Sequence, residues 1–171
     1  MIHRAPWGKH LIGVTVAASA ICVGVSYLMW RNISETGLLR SAVIALPLVI
    51  PVGGLLFCIR GFRLDGAHLY VRRLFWETGV DLRELESVAV DPAAMKGSLR
   101  TFGNGGLFSF SGRYRNKKLG SYRAFVTDFG RTVILRFSQS AVVLSPGDPE
   151  AFVADLLMHN PGARRAEGQP S

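Results

Sequence analysis

Two stretches decide the fold class: LIGVTVAASAICVGVSYLMW, residues 11–30, and SAVIALPLVIPVGGLLFCI, residues 41–59. Neither contains a charged side chain, and Arg31 and Arg40 bracket the gap between them. About 20 apolar residues in a helix are enough to cross the hydrocarbon core of a bilayer. Buried core helices of a soluble protein are the other source of such runs. Those normally keep a polar face, and neither run has one. Both stretches therefore read as membrane spans.

For the first run a cleaved signal peptide is the rival. His3, Arg4 and Lys9 form a basic start, Leu11–Ala17 an apolar core, and Ala18-Ser19-Ala20 a cleavage-type triplet. The apolar character nevertheless continues for ten residues beyond that triplet, to Trp30. Tyr27 and Trp30 also sit where an interfacial aromatic belt is expected. An uncleaved span is the stronger reading. The flanks outside the hairpin carry Arg4, Lys9, Arg60, Arg63, Arg72 and Arg73, against Arg31, Arg40 and Glu35 in the middle loop. The positive-inside rule then places both termini on the cytoplasmic side of the inner membrane, as a multi-pass protein. The Asn32-Ile33-Ser34 sequon carries no weight in a loop that hugs the membrane.

Neither span holds an ionisable group of the kind that marks an ion or proton pathway, so the hairpin reads as an anchor. Cys22 and Cys58 lack metal-ligand spacing and read as small apolar residues. Gly13, Ala17, Ala20 and Gly24 share one helical face, which suits close helix packing. Packing on the second span of the same chain and homodimerisation use the same chemistry. Pro47, Pro51, Gly53 and Gly54 are expected to kink the second span.

From Gly61 the pattern changes to short alternating runs. Asp65-Gly66 reads as a turn before a strand through Leu69 and Val71; Val80–Leu82 and Leu85–Val90 read as further strands. Tyr122–Thr127, Arg131–Phe137 and Ala141–Leu144 read as three more, joined as tight hairpins by Asp128-Phe129-Gly130 and Ser138-Gln139-Ser140. Val133, Leu135 and Phe137 then share one face, and Thr132, Ile134 and Arg136 the other. Asp148 suits a helix N-cap, Pro149 the first helical position and Glu150 the positive helix end. Phe152, Val153, Leu156 and Leu157 form an apolar stripe, and Asn160-Pro161-Gly162 ends the helix. The expected organisation is a tail and hairpin over 1–60, a β-barrel or sandwich capped by one helix over 61–159, and a disordered tail over 160–171. This is an α+β membrane protein.

These residues resemble a family. Strands closed by a single C-terminal helix follow the order of the pleckstrin-homology (PH) fold. The runs Arg100–Phe108, Arg113–Gly120 and Tyr122–Asp128, with Ser145-Pro146-Gly147-Asp148-Pro149-Glu150 before the helix, look like a bacterial PH-like family whose members commonly carry apolar N-terminal spans. The resemblance covers Phe62 to Met158. It implies a PH-like fold and a membrane setting, and supplies no ligand, reaction or catalytic residue.

The candidate site is the segment between Pro92 and Thr127, which has seven cations and no acidic residue. Lys96, Arg100, Arg113, Arg115, Lys117, Lys118 and Arg123 are the candidate lipid- or anion-binding residues. Gly103, Asn104, Gly105 and Gly106 form a motif loop whose backbone N–H groups are suited to an anion-binding concavity. Leu107 and Phe108 are placed to dip into the bilayer interface. Near an anionic leaflet each Lys or Arg gains about 1 kcal/mol. The bland alternative is an ordered loop or hairpin that closes the barrel, with its cations as a solvated face. Other chemistries find no support: there is no dinucleotide or P-loop fingerprint, and His3, His10, His68 and His159 form no ligand set or triad. No metal, cofactor, enzymatic activity or nucleic-acid partner is expected. The expected function is a membrane-anchored binding module that meets anionic lipid headgroups or a membrane protein. The alternative is a scaffold or accessory subunit that recruits a protein or peptide.

Overall fold

The computed structural model describes residues 1–33 and 37–166. A short strand β1 (Ile2–Arg4) precedes two long helices, α1 (Lys9–Asn32) and α2 (Leu38–Leu56). Both helices are long and apolar enough to cross a membrane, and little of either is buried inside the protein. They lie side by side, and across the turn Arg40 Nη2 donates to the Trp30 carbonyl at 3.0 Å. The pair fits a transmembrane hairpin. Ser34 of the sequon and Glu35 lie outside the described residues.

The hairpin differs from expectation in where α2 ends, and of the two uses open to the small-residue face it does not show packing on α2. The second helix ends at Leu56, and Ile59 is buried in the core of the domain that follows. Phe57 and Cys58 close the helix by donating to the Gly54 and Leu55 carbonyls, which tightens its last turn. The face carrying Gly13, Ala17, Ala20 and Gly24 is also turned away from α2. All four are exposed, and among the described residues nothing lies within 4 Å of where a Cβ on Gly13 or Gly24 would stand. The buried side of α1 carries Leu11, Thr15 and Ser26 instead.

The domain is a sandwich of two sheets. The first has the order β1-β2-β3-β4, a wholly antiparallel meander of β1, β2 (Gly61–Asp65), β3 (His68–Arg72) and β4 (Glu77–Asp81). Gly66 takes a φ of 56° at the tight turn between β2 and β3, the left-handed conformation that suits glycine. The second sheet contains β5 (Leu85–Val90), β6 (Leu99–Gly105), β7 (Phe110–Asn116), β8 (Gly120–Val126), β9 (Val133–Phe137), β10 (Ala141–Leu144) and β11 (Arg164–Arg165). Its order is β11-β5-β9-β10-β8-β7-β6.

Phe62, Leu64, Leu69, Val71 and Val80 of the first sheet meet Val88, Phe125, Val133, Leu135, Val142 and Leu144 of the second. Helix α3 (Pro149–His159) closes this core with Phe152, Val153 and Leu156. Burying such a side chain contributes about 1.5–3 kcal/mol. Asp148 caps α3 by accepting from the Ala151 N–H at 3.1 Å.

The far side of the second sheet is covered too. The turn segment around Ala94 and Met95 lies over Tyr114, Tyr122, Ala124, Val126, Ile134 and Val143. Ile134, on the face of β9 opposite Val133 and Leu135, is therefore buried too, because β9 is central and packed on both sides. Residues 128–130 are not a hairpin either. They form a short 3-10 turn (Phe129–Arg131), and β10 pairs with β9 antiparallel and with β8 in parallel, so it lies between the two.

Segments near both ends of the described residues join the domain. His3 of β1 pairs with Phe62, so residues expected to form only a tail extend the first sheet. Arg164 and Arg165, expected to be disordered, pair in parallel with Ser87 and Val88 of β5. Residues 167–171 of that tail lie outside the described residues.

Candidate functional site

The seven-stranded sheet is wider than its partner, so its inner face runs on past β4 along β8, β7 and β6. Strand alternation puts Phe125 and Arg123 of β8, Ser111 and Arg113 of β7, and Phe102 of β6 on that overhang. The C-terminal half of α2 and the β3–β4 turn stand opposite. Between them lies a cleft of about 860 Å³. Its apolar lining includes Ile50, Phe57, Trp76, Phe102 and Leu107, and its charged lining is Arg73, Arg113 and Arg123. Among the described residues no acidic side chain lines it.

The three arginines reach the cleft by different routes. Arg113 and Arg123 stand directly opposite each other on β7 and β8. Like charges in that position destabilise a sheet. Arg73, just past β3, donates from Nη1 to the Phe57 carbonyl at 2.9 Å. Its guanidinium lies 5.6 Å from the Phe57 ring, 6.0 Å from Trp76 and 5.7 Å from Phe125. Burial, and then the nearby Arg123 charge, lower the Arg73 pKa from its ordinary value. Among the described residues no carboxylate forms an ion pair with any of the three.

The other predicted cations do not join them. Lys118 Nζ lies 2.8 Å from the buried Asp91 carboxylate and holds the turn behind the sheet. Arg100 Nη1 donates to the Gly103 carbonyl at 3.1 Å and folds back over Gly105. Lys96, Arg115 and Lys117 are exposed and do not line the cleft. Convergence thus selects Arg113 and Arg123 from the sequence set and adds Arg73, which the sequence marked only as a flanking cation.

The glycine-rich loop is not an open anion cradle. Gly106 N–H donates to Ser109 O, Leu107 N–H to Asn104 Oδ1 and Phe108 N–H to Thr15 Oγ1, so these donors are spent. The Thr15 hydroxyl in turn donates to the Gly106 carbonyl at 3.2 Å. Phe108 is buried, edge-on to Trp7 at 5.9 Å, and holds a φ of 64° that is costly for a non-glycine residue. Leu107 packs on α2 so closely that a Cβ on Gly54 would lie 2.6 Å from it. Leu107 and Phe108 were expected at the lipid interface; they fill the seam between the hairpin and the domain. Gly103 and Gly112 are neighbours across β6 and β7, where a side chain would meet the opposite backbone at 2.4 Å or less.

Among the described residues no group of three His, Cys, Asp or Glu side chains is placed to hold a metal ion. No curated protein and no solved structure matches the chain. A family model for the bacterial PH domain matches residues 60–160, which takes in the sandwich from β2 to the end of α3. With that match over more than half of its length, the chain belongs to the bacterial PH domain family.

Proposed function

We propose that this protein is a membrane-anchored, non-enzymatic PH module whose cleft receives the phosphate of an anionic lipid headgroup. One observation carries the reading. Arg73, Arg113 and Arg123 converge on a cleft that no carboxylate lines among the described residues, and two of them oppose each other at a cost in stability. A bound anion would offset that repulsion. The wall formed by Ile50 and Gly53 of α2 is continuous with the helix surface, so an acyl chain can lie along it while the phosphate meets the arginines. The basic flanks of the hairpin, including Arg4, Lys9 and Arg60, support a cytoplasmic-leaflet setting.

The test uses the full-length protein in detergent, with phosphatidylglycerol or phosphatidylcholine added and retention read by native mass spectrometry. Phosphatidylglycerol should be retained preferentially. Charge-assisted hydrogen bonds contribute about 1.5–3 kcal/mol, so Arg113→Gln with Arg123→Gln should weaken retention by at least about tenfold. Arg115→Gln with Lys117→Gln should change it by less than about twofold. If the two variants behave alike, the cleft reading fails.

A second reading rests on β6. This strand ends its sheet, and Leu99 and Phe102 on it are exposed, so a partner strand can add there. A stoichiometric partner that survives high salt and is lost with Thr101→Pro would favour it.

A further inference from the structure

The connection between β3 and β4 is Arg73-Leu74-Phe75-Trp76. A tight turn ordinarily draws on Gly, Asn, Asp, Ser or Pro, and none is present. Arg73 N–H donates to the Trp76 carbonyl at 2.9 Å and closes the turn, leaving Leu74 and Phe75 at its tip. Leu74 is 41 % exposed, Phe75 74 % and Trp76 39 %.

The turn is fixed to the end of α2. Trp76 stands edge-on to Phe57, the residue that caps that helix, with ring centroids 5.6 Å apart. The Phe57 carbonyl accepts from Arg73 of the turn and from Ser109 of the β6–β7 tip. Leu55 and Leu56, the last residues of α2, are themselves exposed, so the tip prolongs the apolar surface of the helix. An apolar patch joined in this way to a spanning helix has the bilayer as its natural cover.

The aromatic residues give the level. Trp7, edge-on to Phe108, and the Phe57–Trp76 pair lie at the end of the hairpin nearest the domain, and Tyr27 and Trp30 lie at the other, 6.1 Å apart. Lys9 to Trp30 of α1 spans about 33 Å at 1.5 Å per residue; its first two turns, with Leu11 and Thr15, lie against the domain at the interface, and about 22 Å beyond them is free to lie in the hydrocarbon. Two aromatic belts so spaced mark the two interfaces.

We infer that Leu74-Phe75-Trp76 is a third point of membrane insertion, seated in the headgroup–acyl boundary beside α2, which holds the domain at a fixed height. The occupant of this surface is the bilayer itself. The inference uses the hairpin; Trp76 also lines the arginine cleft, but the exposed Leu74 and Phe75 do not, and their seating does not depend on what the cleft binds.

The experiment uses the full-length protein with Cys22→Ala and Cys58→Ala, reconstituted in vesicles of phosphatidylglycerol and phosphatidylcholine. Phe75→Cys, and separately Leu74→Cys, carries an environment-sensitive fluorophore. Leu99→Cys, at the end of β6 away from the Gly106 loop, is the water-exposed reference. Spin-labelled lipids with the label high on the acyl chain should quench the two turn positions at least threefold more than Leu99, and aqueous iodide should quench them at least threefold less. Iodide quenching equal to that at Leu99 would overturn the inference. So would protection from both quenchers, since a second copy or another protein would then cover the turn. Having two independent turn positions guards against one substitution disturbing the fold.

Discussion

Thr15, in the second turn of α1, is bonded on both sides to the loop that carries Phe108: its hydroxyl accepts from the Phe108 N–H at 3.1 Å and donates to the Gly106 carbonyl at 3.2 Å. The contact joins residues 93 positions apart, and both partners are buried. With Phe57 accepting from Ser109, it locks the β6–β7 tip to both helices. The hairpin is therefore a fixed mount for the domain.

Thr15→Val keeps the side-chain shape and removes both hydrogen bonds. It leaves a buried N–H and a buried carbonyl without partners, at about 1–3 kcal/mol each. Amide exchange at Gly105–Ser109 should accelerate markedly while α3 stays protected. Unchanged exchange in the loop would mean that packing of Phe108 and Leu107 alone holds the seam.

Much of this was legible in the sequence, and the reasons for the remainder are physical. The spans, β5 and the capped α3 rest on local periodicity and on Asp148-Pro149, which short windows read well. The parallel pairing of β8 with β10 is a non-local choice with no local signature. β6 was hidden because Gly103 and Gly105 and the register shift between Arg100 and Phe102 break its alternation. β7 did carry a signal. Tyr114 alternates with Ser111, Arg113 and Arg115, and only the first of these faces the covered side of the sheet. The cleft needed three dimensions, since Arg73 and Arg123 are 50 positions apart in the chain and meet only through the sandwich.

Lys118 belongs to the fold and not to the cleft. Its ammonium lies 2.8 Å from an Asp91 carboxylate that is 5 % exposed, and Asp91 also accepts from the Ala93 N–H at 2.9 Å. Replacing one partner of a largely buried pair leaves the other charge unpaired, and full burial makes that cost about 3–5 kcal/mol. Lys118 is partly open to solvent, so about 1–3 kcal/mol is expected for Lys118→Glu. Thermal unfolding should fall by several degrees, whereas Lys117→Glu should leave it nearly unchanged. Equal effects from the two would remove the structural role of the pair. Any lipid-binding loss seen with Lys118→Glu has to be read against this loss of fold.

Tyr114 gives the fold an alkaline limit. Its hydroxyl donates to the Asn104 carbonyl at 2.9 Å, at the start of the loop that grips Thr15. Burial pushes its pKa up to about 12, from an ordinary value near 10. Tyr122, which shares the hydrogen bond with Ser98 at 2.6 Å, is raised by burial as well. In both cases the fold favours the neutral phenol. The stabilisation from Tyr114 is therefore fully present below about pH 10 and is lost as pH rises through about 12. Two units correspond to roughly 2–3 kcal/mol. Chemical denaturation between pH 9 and pH 11.5 should show stability declining across that window, with phenolate absorbance at 295 nm appearing late. Tyr114→Phe should be less stable at neutral pH by about 1 kcal/mol, through loss of the hydrogen bond. It should also decline less steeply in alkali, with one late-titrating phenol removed. A variant that loses stability in alkali as steeply as the parent would place the alkaline limit elsewhere in the fold.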